Sequence, residues 1–200
     1  MISRRFAALL LCLVALLTSG GLTLAGTGLE AGDEQTEAAV AVRALVSGTT
    51  QEALAAVPGD FAAVRGYQPV TEHGQLVRAD GGCSSPVPLP EEFEPACRQH
   101  DYGYDLLRYA DQSGRPLGRW ARGAIDDRLA DQLRDVCGAG PEQHSCRRMA
   151  IVAVTGVELN SRRQGDGVPE ESVLTNVALA SSAVGLLGLS VALPRRRRSG

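Results

Sequence analysis

The segment Cys97-Arg98-Gln99-His100-Asp101-Tyr102-Gly103-Tyr104 places a general base, a hard-metal ligand and a crosslinkable cysteine on two turns of one helix. At about 3.6 residues per turn, Cys97, His100, Tyr104 and Leu107 share a stripe, and Asp101 is rotated about 100° from it. An imidazole and a carboxylate in neighbouring sectors can serve water and a cation separately. Imidazole takes a proton from water best when a carboxylate fixes its tautomer and steadies the imidazolium. That chemistry requires an acid from a second element.

Residues 117–136 supply one, as a helix with the apolar stripe Ile125, Leu129, Leu133 and Val136 and the acids Asp126, Asp127, Asp131 and Asp135. At about 100° per residue, Asp126 lies about 65° from the stripe's centre, Asp135 about 115°, and Asp127 and Asp131 beyond about 150°. Asp126 therefore faces the packed partner helix, and Asp127 and Asp131 face water. Arg115, Arg119 and Arg122 also recur at helical spacing, which suits a solvated face better than a phosphate site.

The other elements follow from periodicity. A first catalytic helix is expected over about 94–109. A third helix over about 146–159 has Cys146, Ala150, Ala153 and Val157 on one face. Leu54, Val57, Phe61 and Val64 suit an amphipathic helix interrupted at Pro58-Gly59. Phe61, Val64, Tyr104 and Leu107 fit an acyl channel or ordinary core equally well. Residues 66–95, rich in Gly, Pro and Ser, form an extended loop, and loops of that length tend to be functional. Residues 26–50 read as a helical spacer and 161–172 as a flexible linker.

The Cys-x-x-His-Asp signature followed by Tyr resembles the secreted phospholipase A2 superfamily. The Tyr102-Gly103-Tyr104 continuation and the low cysteine count resemble its prokaryotic and fungal branch. The likeness covers about residues 51–160, including Cys83-Ser84-Ser85-Pro86 before the active-site helix and an Asp-bearing helix after it. It implies an all-α, disulfide-stapled domain with an antiparallel pair of active-site helices. The implied activity is calcium-dependent hydrolysis of the sn-2 ester of glycerophospholipids. His100 would be the base and Asp126, eleven positions before Cys137, its partner.

In that family calcium is held by the Asp after the histidine, with a carboxylate and a backbone carbonyl from the loop before the first cysteine. The resemblance thus assigns Asp101, Asp80 and the carbonyl of Gly82. The relatives place their acid two residues before the cysteine, where this chain has Gly81, so Asp80 reaches the ion only if the glycines bulge. A second reading is a catalytically silent surface module of the same kind that binds a lipid or protein partner. A purely structural envelope protein leaves the His-Asp tandem unexplained.

Of five cysteines, Cys12 lies near the N-terminus and Cys83, Cys97, Cys137 and Cys146 lie in the domain. Four cysteines outside the cell allow three pairings. Local spacing favours Cys83 with Cys97 and Cys137 with Cys146, and the resemblance implies the same. Neither pair has the Cys-x-x-Cys spacing of a zinc site.

Residues 1–25 have the three-part layout of a signal peptide, with Arg4 and Arg5, an apolar run, and a cleavage motif ending at Ala25. Residues 173–193 carry no charged side chain over 21 positions and precede Pro194 and Arg195 to Arg198, a basic tail at 194–200. About 20 apolar residues span a bilayer, and the arginines would stay in the cytoplasm. The expected topology is an exported domain anchored by a C-terminal helix, with secretion as the alternative. Between the ends, 14 arginines face 23 acidic residues, a net charge of −9. That balance disfavours nucleic acid and suits calcium.

If the topology holds, external protease will degrade residues 30–170 in intact cells while a tag after Gly200 stays protected. Recovery of the tag in the medium would overturn the anchored orientation.

Overall fold

The structure, a computed structural model, describes residues 34–85, 87–138 and 143–170. Helices dominate: α1 (Glu37–Ser47), α2 (Thr50–Ala55), α3 (Phe61–Arg65), α4 (Glu94–Gln112), α5 (Arg119–Val136) and α6 (Gln143–Arg163). A hairpin of β1 (Val70–Glu72) and β2 (Gln75–Val77) lies between α3 and α4. All these elements belong to a compact unit that ends at Val168. The expected signal segment 1–25 and membrane segment 173–193 lie outside the described residues. Among the described residues, no helix is long and apolar enough to cross a membrane.

Local chemistry sets the boundaries. Thr36 caps α1 through its hydroxyl on the Ala39 amide, and Thr49 with Glu52 forms a capping box on α2. Pro58-Gly59 splits the next segment as expected, and Gly66, at φ 81°, ends α3. His73 and Gly74, both at positive φ, turn the hairpin tightly and set Val70 opposite Val77. From its sequence alone this stretch reads as loop. The hairpin matters because it buries Leu76 and Val77, and the Arg78 amide then bonds the Arg98 carbonyl of α4.

Two apolar clusters form the core. The first joins Val42 and Leu45 of α1, Phe61, Leu76, Tyr102, Leu106 and Tyr109 of α4, and Ile125 of α5. The second joins Phe93, Ala96, Leu129, Leu133 and Ala150. The disulfides Cys83–Cys97 and Cys137–Cys146 pack against the second cluster, and each closes a short loop onto a helix end. The segment read as a spacer is α1, and it packs inward through Ala38, Ala39, Ala41, Val42 and Leu45. The linker read at 161–172 begins one turn too early, because α6 continues to Arg163 and Ser161 is buried.

The first described residue, Glu34, and the stretch after α6 are both tied to the start of α5. Buried Glu34 accepts from the Gly118 amide at 2.9 Å and from the Trp120 indole N–H at 2.9 Å, placing a carboxylate at that helix N-terminus. Arg119 pairs with Asp166, and Arg122 donates to the Gly167 carbonyl at 2.9 Å.

Helices α4 and α5 run antiparallel, since residues 99, 103 and 104 meet 132, 125 and 122 in turn. Their closest approach needs Gly103. A Cβ there would lie 2.7 Å from Ile125 Cγ2 and 3.1 Å from its Cγ1. Alanine is worth about 1 kcal/mol over glycine inside a helix, but overpacking costs about 1–3 kcal/mol. Gly103→Ala is therefore expected to lower stability in urea unfolding, and to lower it less in an Ile125→Ala background. Equal losses in both backgrounds would show that this contact does not set the helix spacing.

Candidate active site

The close approach brings His100 and Asp126 together. Their side chains are 9% and 10% exposed, and His100 Nε2 lies 2.8 Å from Asp126 Oδ1. The Tyr104 hydroxyl donates to the same oxygen at 2.8 Å, and the Ser161 hydroxyl donates to Oδ2 at 2.6 Å. With donors on both oxygens, Asp126 acts as an accepting carboxylate, so Nε2 carries the imidazole hydrogen. Nδ1 is then the nitrogen with a lone pair, able to take a proton from water. The Tyr104 ring also packs against His100 at a tilt of 48°, with ring centroids 4.1 Å apart. Burial, and then the Asp126 charge, push its phenol up to about 12, so it remains a donor near neutrality.

Behind this carboxylate sits Arg122, expected on a solvated face but only 1% exposed. Its Nε donates to Ser161 Oγ at 2.9 Å and more weakly to the Tyr104 oxygen at 3.4 Å. One terminal nitrogen bonds Gln164 Oε1 at 2.9 Å as well as the Gly167 carbonyl, and the guanidinium lies 5.0 Å from the Tyr104 ring centroid. The other terminal nitrogen is buried without a partner. Arg115 is exposed, and Arg119 reaches outward to Asp166.

Asp101 points away from this network, toward the loop before Cys83. Its Oδ2 accepts the Gly82 amide at 2.9 Å, and a Cβ on Gly81 would lie 2.7 Å from that same oxygen. Glu94, two turns earlier on α4, accepts the Cys83 amide at 3.3 Å. Sequence reasoning passed over Glu94, although a seven-residue spacing from Asp101 puts both on one helix face. Burial pushes the Asp101 carboxyl up, and the Gly82 amide partly offsets that. Among the described residues, no group of three or more His, Cys, Asp or Glu side chains could hold a metal. Toward the two α4 carboxylates the loop presents the Gly82 and Cys83 amides, and the Gly82 carbonyl accepts the Ser84 amide at 3.0 Å.

Beside His100 lies a narrow cleft with room for about one water molecule, lined by Leu45 and Val46 of α1, Ile125 and Leu129 of α5, and Gln99, Arg128 and Gln132. Gln132 donates to Gln99 across it at 2.6 Å. Phe61, weighed as a channel residue, is fully buried in edge contacts with Tyr67 and Tyr102 at 5.4 and 5.5 Å. Val64 is exposed. Leu107 and Tyr104 are buried in the core.

Asp80 turns away from Asp101. Arg78 holds it at 2.8 Å, and the guanidinium keeps its carboxyl below the usual range. The same arginine reaches Asp105 at 3.2 Å. Asp105, fully buried, also accepts from Arg65 at 2.7 Å, Arg108 at 2.9 Å and the Tyr67 hydroxyl at 2.8 Å. Burial raises its carboxyl, but the bonds from Tyr67, Arg108 and Arg65 outweigh burial and hold it below the usual range. A carboxylate lowered in the folded state stabilises above its unfolded value near 3.9, and that stability is lost as pH falls through the folded value. The wild type should therefore lose urea resistance below about pH 4, and Asp105→Asn should lose about 3 kcal/mol at pH 7 by removing the buried carboxylate that three arginines share. A variant as stable as wild type at pH 7 would remove Asp105 from that role.

Compared with protein-family models, with curated proteins and with solved structures, the chain matches none.

Proposed function

We propose that this chain is a calcium-dependent hydrolase of the phospholipase A2 kind, cleaving the sn-2 ester of glycerophospholipids. The observation that carries the reading is the His100–Asp126 contact at 2.8 Å, with Asp101 in the next sector against a glycine loop. His100 takes a proton from water at Nδ1, and the water oxygen attacks the ester carbonyl carbon. Asp126 holds the ring and offsets the imidazolium charge through Nε2. The imidazolium then returns the proton to the departing alcohol oxygen, which leaves a fatty acid and a lysophospholipid.

Asp101 and the Gly82 carbonyl would hold calcium, which would supply positive charge beside the ester carbonyl. The Gly82 amide now occupies Asp101 Oδ2, so the loop must rotate for its carbonyl to face the ion. Asp80 joins the site only by releasing Arg78. That pairing favours a second reading, a silent module that binds lipid or a protein partner through the same surface.

The two readings separate in one assay of the full chain on mixed micelles of a phospholipid with distinguishable acyl chains. Fatty acid from the middle position, released with calcium and not with chelator, is the expected result. His100→Ala should abolish turnover and spare calcium binding. Asp101→Asn should weaken calcium binding and turnover together, and Asp126→Asn should lower turnover with little effect on calcium. An unchanged calcium requirement in Asp80→Asn assigns the loop's share to carbonyls. Calcium binding without hydrolysis of any headgroup class would favour the silent module, and hydrolysis surviving His100→Ala would sink the mechanism.

A further inference from the structure

We propose that Ser161, oriented by Arg122, is a positioning residue that sets the plane of Asp126 for His100, making the last turn of α6 part of the catalytic apparatus. The catalytic half of this rests on the hydrolase reading, and the geometric half does not. Asp126 Oδ1 serves His100 and Tyr104, both from α4. A carboxylate held through one oxygen can still swing about its side-chain torsion. Ser161 supplies the second anchor, on Oδ2 at 2.6 Å, from a different helix.

The direction of that hydroxyl is itself set. A serine hydroxyl has one hydrogen and two acceptor sites. Arg122 Nε–H occupies an acceptor site at 2.9 Å and can only donate, and the serine hydrogen goes to the carboxylate at 2.6 Å, a much closer acceptor than the Tyr104 oxygen at 3.2 Å. Ser161 is 4% exposed, which leaves water little access to compete for it. Arg122 also grips Gln164 and Gly167, so the helix end cannot drift from Asp126 without breaking those bonds.

A purely structural role explains this arrangement poorly. A buried guanidinium is costly unless paired, and an apolar side chain is often the more stable choice. Among the described residues Arg122 makes no direct ion pair. Its charge reaches Asp126 through the two hydroxyls that bond it, Ser161 and Tyr104.

The test compares full-chain wild type with Ser161→Ala, Ser161→Thr and Arg122→Gln. Proton NMR should show a downfield resonance from the His100 Nε2–H, identified by its absence in His100→Ala. It should be lost or shifted upfield in Ser161→Ala and Arg122→Gln and return in Ser161→Thr, which keeps the hydroxyl. In the micelle assay kcat should fall by about 10- to 100-fold in Ser161→Ala with KM unchanged, while Ser161→Thr stays near wild type. Thermal unfolding checks that Ser161→Ala is folded. A folded Ser161→Ala that keeps both the resonance and kcat overturns the proposal. A resonance lost in Ser161→Ala, in a wild type that hydrolyses no phospholipid, upholds the positioning and removes the hydrolase reading.

Discussion

The contact on which the site depends is the one that a single hydrogen atom allows, where Gly103 of α4 meets Ile125 of α5. Helix axes usually pack 8–10 Å apart, at a distance set by the side chains between them. Removing one side chain at the crossing draws the helices together where His100, one turn before Gly103, meets Asp126, the residue after Ile125. The short bond between imidazole and carboxylate is thus a consequence of backbone packing as much as of residue choice. The apolar neighbours of Ile125 exclude water from the pair and strengthen it.

A second constraint holds the loop side. Asp105 is one turn beyond Asp101 on α4 and gathers cations from three separate places: Arg65 at the end of α3, Arg78 after the hairpin, and Arg108 on its own helix. The chain between α3 and Cys83 is therefore fastened to α4 by charge at Asp105, by a backbone bond at Arg98, and covalently at Cys97. These fastenings fix where the Gly81-Gly82 turn lies, and both glycines pack close against α4, where a Cβ would meet Asp101 at 2.7 Å and Glu94 at 3.0 Å. The same arginine that completes the fastening draws Asp80 away from Asp101, so rigidity of the loop and delivery of that carboxylate oppose each other.

Sequence periodicity suffices to place His100, Asp101 and Asp126 on two facing helices, because a residue's sector depends only on its own helix. What it leaves hidden are partners defined by the meeting of distant elements. Ser161 lies in a polar stretch that reads as linker, and nothing local distinguishes it from other serines. Asp105 looks like a solvated helix residue until three arginines far apart in sequence converge on it. The alanine-rich α1 reads equally as spacer and as close-packed wall, since small side chains suit both. Asp80 differs, because Arg78 stands two residues away within one turn, closed by the Gly81 amide on the Arg78 carbonyl, and a pair so close in sequence is open to a sequence reading.

Glu34 and Gly167 lie far apart in sequence, yet both are fastened to the first turn of α5. The first and last described stretches of the unit therefore meet at one helix end. A pull applied at Glu34 and at Gly167 would load the bonds from Glu34 to Gly118 and Trp120 and from Arg122 to Gly167 before any strain crossed the core. In mechanical terms the domain hangs from one corner, and the disulfide-closed half around Phe93 and Leu133 stays outside the line of force.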